Sequence, residues 1–134
     1  MPYWRLFYHA VWSTKDRQPW IDPAWEKDLY GYLWGKATAL ECIPHAINGM
    51  PDHLHMVLSI PPRLAVAATI GQLKGASSHH INEQYLQGVF AWQEEYSIFS
   101  ISESALDKVV GYVNHQKQHH AKRTLIDRLE ATSA

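Results

Sequence analysis

The chain carries one cysteine, Cys42, in 134 residues, so no intramolecular disulfide can brace it and a reducing compartment is expected. It has no stretch approaching the ~18 uninterrupted apolar residues that a membrane span needs, so no membrane association is expected. Met1 to Trp12 mixes Arg5 and His9 with aromatic side chains and lacks the apolar run of a signal peptide. A cytoplasmic protein is the resulting expectation. Internal repeats, low-complexity tracts and Gly/Ser/Pro-rich linkers are also missing, which leaves one domain over residues 1–134. An excess of charge of either sign is missing too. Twelve Lys and Arg against thirteen Asp and Glu give a net charge of −1, not the footprint of a protein that coats itself in phosphate backbone. The basic residues are nevertheless uneven, with Lys15 and Arg17 near the start and Lys117, Lys122, Arg123 and Arg128 toward the end.

What is present is apolar and aromatic. An apolar share of 46%, with six Trp and seven Tyr, is enough for a single core. Tyr3 to Ser13, dense in aromatic and β-branched residues, suits a buried strand. Thr14 to Pro23 reads as a loop, and Asp22-Pro23 as a cap and first turn for a helix from Ala24 to Leu40. Two strands follow, Cys42 to Asn48 and His53 to Ile60, joined through the turn chemistry of Asn48 to Asp52 and stopped by Pro61-Pro62. A helix over about Leu64 to Leu86, a strand over Tyr96 to Ile101 and a last helix opened by Ser102-Glu103-Ser104 complete the chain. The order β-α-β-β-α-β-α predicts an α+β fold: a ferredoxin-like split βαβ antiparallel sheet, helices on one face, and an extra C-terminal helix. Trp4, Trp12, Trp25 and Trp34 fall on apolar faces and are expected in the core.

The most specific local pattern is Asp52-His53-Leu54-His55-Met56. On a strand, residues two apart share a face, so His53 and His55 project together while Leu54 and Met56 turn inward. Two adjacent imidazoles can chelate one divalent ion, although paired histidines on a strand also arise without a metal. Asp52 suits either a turn or an outer partner that orients a histidine. In the last helix, Tyr112 and Gln116 lie four apart on one face, with His119 and His120 beyond. A phenol and an amide there can serve as nucleophile and neutral ligand. The same spacing equally suits an amphipathic tyrosine with its hydroxyl at the rim of the core, the commoner role of a helix tyrosine.

Together these segments resemble the IS200-like single-tyrosine transposases of the smallest insertion sequences and the related REP-associated tyrosine transposases. Both are HUH endonucleases, named for a histidine–hydrophobic–histidine motif that matches His53-Leu54-His55. The resemblance spans nearly the whole chain. It is carried by the strand end and Lys-x-Arg loop Trp12-Ser13-Thr14-Lys15-Asp16-Arg17, Met50 to Met56, Leu73-Lys74-Gly75-Ala76-Ser77-Ser78 with Ile81-Asn82, and Tyr112-x-x-x-Gln116 followed by His119-His120.

The resemblance implies a transposase that cleaves and rejoins single-stranded DNA with hairpin ends through a 5′-phosphotyrosine link. Tyr112 would be the nucleophile, and His53, His55 and Gln116 would hold a divalent cation. Two imidazoles and an amide suit Mn²⁺ well, and Mg²⁺ less well. The resemblance also implies a homodimer with an active site shared between subunits. Lys15, Arg17 and Lys74 are candidate DNA-phosphate contacts, with a solvated surface role as the alternative. Other readings are a replication-initiator or relaxase-type nickase, a domesticated hairpin-binding module that does not cut, and a ferredoxin-like ligand-binding protein without nucleic acid.

Overall fold

In the computed structural model, residues 3–118 are described. The first strand, β1 (Phe7–Ser13), starts later than its aromatic density predicts and is buried nearly throughout. Then come α1 (Glu26–Ala39), β2 (Ile43–Met50), β3 (His53–Ser59), α2 (Val66–Ile81), β4 (Ser97–Ile101) and α3 (Leu106–Asn114). Short 3₁₀ turns at Lys15–Arg17 and Glu103–Ala105 and a π-helical turn at Asn82–Leu86 lie between them. The strands form one sheet in the order β2-β3-β1-β4, and every neighbouring pair is antiparallel. This is the split βαβ arrangement, in which β3 lies between the two strands that α1 connects. Among the described residues, no helix is long and apolar enough to cross a membrane.

The two faces of the sheet are covered differently. Ala10, Trp12, Leu54, Met56 and Leu58 meet Leu29, Leu33 and Ala37 of α1 and Ile70, Leu73 and Ile81 of α2 in the main core. Each fully buried Leu or Ile there contributes about 1.5–3 kcal/mol by leaving water. On the opposite face Ala46 and Val57 pack against Val109 and Val113 of α3 in a smaller cluster. The strands β1 and β3 are thus buried on both faces, which their alternation alone does not reveal.

Several boundaries differ from the sequence expectation for local reasons. Asp22 Oδ1 accepts a bond from the Ala24 amide at 2.7 Å, but this makes a turn ahead of the helix, and α1 itself begins at Glu26. Asn48 and Gly49 are not turn residues. β2 runs on to Met50 and pairs Gly49 with Leu54, so Pro51 and Asp52 alone form the turn. A Cβ on Gly49 would lie 2.3 Å from the His53 carbonyl oxygen and 2.7 Å from Leu54 Cα. Only glycine allows that approach. Trp12 and Trp25 are core residues and Trp4 is half-buried, whereas Trp34 is 43% exposed. The stripe Leu29, Leu33, Ala37 decides which side of α1 meets the sheet, and Trp34 falls off it.

Candidate active site

The alternation of β3 turns His53, His55 and Val57 to the face that α3 covers. His53 is 2% exposed and His55 fully buried. Buried imidazoles need polar partners, and each has one on Nδ1. His53 Nδ1 lies 2.7 Å from Asp52 Oδ1, and Arg17 Nε donates to the other carboxylate oxygen of Asp52 at 3.2 Å. Burial alone would push the Asp52 carboxyl up, but the His53 hydrogen bond and the Arg17 charge hold it below the usual carboxylate range. An ionised carboxylate only accepts, so His53 donates from Nδ1.

His55 Nδ1 lies 2.9 Å from Nε2 of His9, a buried residue of β1. The two rings stack with centroids 5.1 Å apart and planes 20° from parallel. With both Nδ1 atoms so engaged, the ligand atom of each histidine toward a cation would be Nε2. The His53 and His55 ring centroids are 5.3 Å apart.

The chain places Arg17 against Asp52 by an unusual turn. Asp16 and Arg17 both have left-handed backbones, with φ of 55° and 56°, a conformation costing roughly 1–2 kcal/mol per non-glycine residue. Thr14 secures the turn: its hydroxyl donates to the Gln18 carbonyl at 2.6 Å and its amide to the Asp52 carbonyl at 2.9 Å. Lys15 beside it is exposed.

The last helix brings Tyr112 to the histidines. Its ring centroid is 6.3 Å from that of His55, edge to face, and the residue is 4% exposed. The helix does not continue regularly to Gln116. α3 ends at Asn114, and His115 has non-helical angles, φ −108° and ψ 27°. Gln116 is nonetheless fully buried. Its neighbours are tied to the strand beside the histidines. Asn48, paired with His55 across the sheet, donates to the Asn114 carbonyl at 3.1 Å. Lys117 Nζ donates to the Gly49 carbonyl at 3.0 Å and lies 2.9 Å from Glu26 Oε2. His119-His120 and the basic residues Lys122, Arg123 and Arg128 lie outside the described residues.

Lys74 sits elsewhere. It belongs to α2, on the face of the sheet opposite α3, and its ammonium donates to three carbonyls: Gln93 at 2.7 Å, Glu94 at 2.9 Å and Glu95 at 3.2 Å. Those bonds occupy all three of its N–H groups, so here it anchors the segment before β4. Asn82, from the same stretch of sequence, is likewise a clamp. Its side chain accepts from the Phe90 amide at 2.7 Å and donates to the Phe90 carbonyl at 2.9 Å.

Among the described residues, no three His, Cys, Asp or Glu side chains are grouped to hold a metal ion. Gln116, buried and not of those four types, carries an amide oxygen that could serve as a third donor beside His53 and His55. The sequence reading missed His9. The signal was its position in phase with Phe7, Val11 and Ser13 on β1, but only the register, His9 opposite Val57 and Val11 opposite His55, puts it diagonal to the pair.

Fold and site together define a class: a split βαβ sheet carrying a histidine–hydrophobic–histidine pair, with a tyrosine-bearing helix laid across it. A family model described as IS200-like transposase matches residues 2–116. ISDra2 transposase TnpA of Deinococcus radiodurans is 30% identical over 121 residues, covering 84% of this chain and 85% of that protein. The transposase for insertion sequence element IS200 of Salmonella typhimurium is 28% identical over 124 residues, covering 84% and 78%. Among solved structures, a putative transposase from Deinococcus radiodurans superposes with a TM-score of 0.71 at 24% identity, over 87% of this chain and 95% of that one. A REP-associated tyrosine transposase bound to a REP hairpin superposes with a TM-score of 0.68 at 13% identity, over 90% and 74%. These two likenesses show the fold. The chain belongs to the IS200-like transposase family.

Proposed function

We propose that the protein cleaves and rejoins single-stranded DNA at the ends of an insertion sequence, with Tyr112 as nucleophile and a divalent cation held by His53, His55 and Gln116. The observation that carries this reading is the burial of Tyr112 against the sheet face where His53 and His55 project, its ring 6.3 Å from that of His55, with Gln116 buried between Asn114 and Lys117, which are tied to β2. The donor set fits a cation. Both histidines are held through Nδ1, and such outer partners orient metal-binding imidazoles and raise their basicity. When bound, Mn²⁺ or Mg²⁺ supplies charge to the non-bridging phosphate oxygens and fixes the scissile group.

The chemistry on the chain is Tyr112's. Its oxygen forms a bond to phosphorus as the bond to the 3′-oxygen breaks. The phenol loses its proton, the 3′-oxygen gains one, and the DNA is left with a 3′-hydroxyl and a 5′-phosphotyrosine. That covalent link stores the phosphodiester for attack by another 3′-hydroxyl, so rejoining needs no nucleotide cofactor. Arg17, held on the Asp52 that bonds His53, and the exposed Lys15 two residues before it are the proposed phosphate contacts. Hairpin DNA is the proposed form of the ends, supported by the relative whose structure holds a REP hairpin. A homodimer with a shared site is proposed as the working assembly. It would require α3 to cross to the partner, because here Tyr112 lies against His55 of its own chain.

The test is to incubate the protein with Mn²⁺ and labelled single strands from the flanks of its gene, with Tyr112→Phe alongside. A protease-sensitive protein–DNA band that disappears in Tyr112→Phe and with chelator is expected. Binding without any adduct would replace this reading with a module that does not cut. Cleavage that persists in Tyr112→Phe would remove Tyr112 from the chemistry.

A further inference from the structure

His9 and His55 meet inside the protein. Both are fully buried, with Nε2 of His9 2.9 Å from Nδ1 of His55, and the Phe99 ring flanks His9 at 6.0 Å. A contact this short between two ring nitrogens holds one proton. Two N–H groups would collide, and two lone pairs would face each other without a hydrogen. Two arrangements are therefore possible. If His9 donates, His55 Nδ1 accepts and the neutral His55 ring carries its one N–H proton on Nε2. If His55 donates, its Nε2 carries a lone pair, and only that form can bind a cation through Nε2.

We infer that His9 is a positioning residue that holds His55 as the Nδ1–H tautomer and so makes its Nε2 a ligand atom. The inference rests on the metal-assisted reading above. The two histidines would then be held in the same way by different acceptors: His53 by the carboxylate of Asp52, His55 by a neutral imidazole. The difference suits the substrate. A carboxylate at both positions would add a second negative charge under a phosphodiester, whereas an imidazole acceptor orients the ring and adds none.

The test uses His9→Phe, which keeps a ring but removes the acceptor, and His9→Gln, whose amide oxygen can accept near the former Nε2 position. Mn²⁺ affinity of the three proteins is measured by calorimetry. The His55 tautomer is read in the metal-free proteins from long-range ¹H–¹⁵N correlations of the imidazole ring. His55 should carry its proton on Nδ1 in the unaltered protein and lose that preference in His9→Phe. Mn²⁺ binding should weaken about ten- to a hundredfold in His9→Phe, with most of it restored in His9→Gln. A folded His9→Phe that binds Mn²⁺ like the unaltered protein overturns the inference, as does an unaltered His55 protonated on Nε2. Should His9→Phe fail to fold, the tautomer of the unaltered protein and the affinity of His9→Gln decide. No Mn²⁺ uptake by the unaltered protein would overturn the metal reading instead, and the tautomer would still judge the role of His9.

Discussion

Replacing Gly49 by alanine adds one methyl group to a buried strand position where the facing atoms are backbone. The new Cβ would lie 2.3 Å from the His53 carbonyl oxygen and 2.7 Å from Leu54 Cα, so β2 or β3 must move. β3 does not move easily, because it lies between β2 and β1 and is buried along its whole length, and the edge strand β2 is held to it by pairing from Ile43 to Met50. Overpacking of this kind costs about 1–3 kcal/mol, and removing a strand glycine returns only about 0.5–1 kcal/mol. A net loss of about 1–2 kcal/mol should lower the melting temperature by about 4–7 °C. Circular dichroism at 220 nm through thermal unfolding measures it. The control is Gly71→Ala on the exposed side of α2, where a Cβ meets nothing within 4 Å. There the same substitution should stabilise by about 0.5–1 kcal/mol through helix propensity. Because Met50, next to Gly49, is paired with His53, the shift should reach the histidine, and Gly49→Ala should also weaken Mn²⁺ binding, while Gly71→Ala should not. A Gly49→Ala protein that melts at or above the unaltered one would refute the close-approach argument.

Lys74→Met should destabilise by about 1.5–3 kcal/mol, since three carbonyls lose a charged donor, and hydrogen exchange should rise over residues 93–95. The salt dependence of DNA affinity should stay the same. A slope reduced by about one, with the unfolding midpoint unchanged, would instead make Lys74 a phosphate contact. At Asp28, the Tyr85 hydroxyl bond, with help from His80, holds the carboxyl below its ordinary value against the opposing effect of burial. A depressed folded value means that the ionised carboxylate contributes stability above the unfolded value near 4, lost as pH falls through the folded one. Urea midpoints for the unaltered protein and Asp28→Asn should therefore differ at pH 6 and converge below about pH 4. A gap that widens on acidification would show the sign to be wrong.

The sequence by itself determined the element order, and with it the split βαβ sheet, because period-two and helical patterns are local properties of the chain. It also determined that His53 and His55 share a face, since side chains two apart on a strand must. It did not place Tyr112 and Gln116 beside them. Four residues of spacing suggested one helical face, whereas α3 stops at Asn114 and Gln116 is reached past a break at His115. What holds that segment beside β2 is Lys117 and Asn48, a pair separated by most of the sequence. Asp52 was legible as a turn residue or an outer partner of a histidine, and it is both, but its hold on Arg17 depends on two left-handed residues whose identities, Asp and Arg, do not announce that conformation. Lys74 was charged and close to a motif, which made it a candidate for phosphate. Only the tertiary structure shows its ammonium inside a ring of carbonyls from residues 93–95. His9 is the plainest case. Nothing in residues 1–13 says which strand will lie beside β1 or in what register, because strand pairing is set by packing between segments distant in sequence. Tertiary structure alone put its ring on His55.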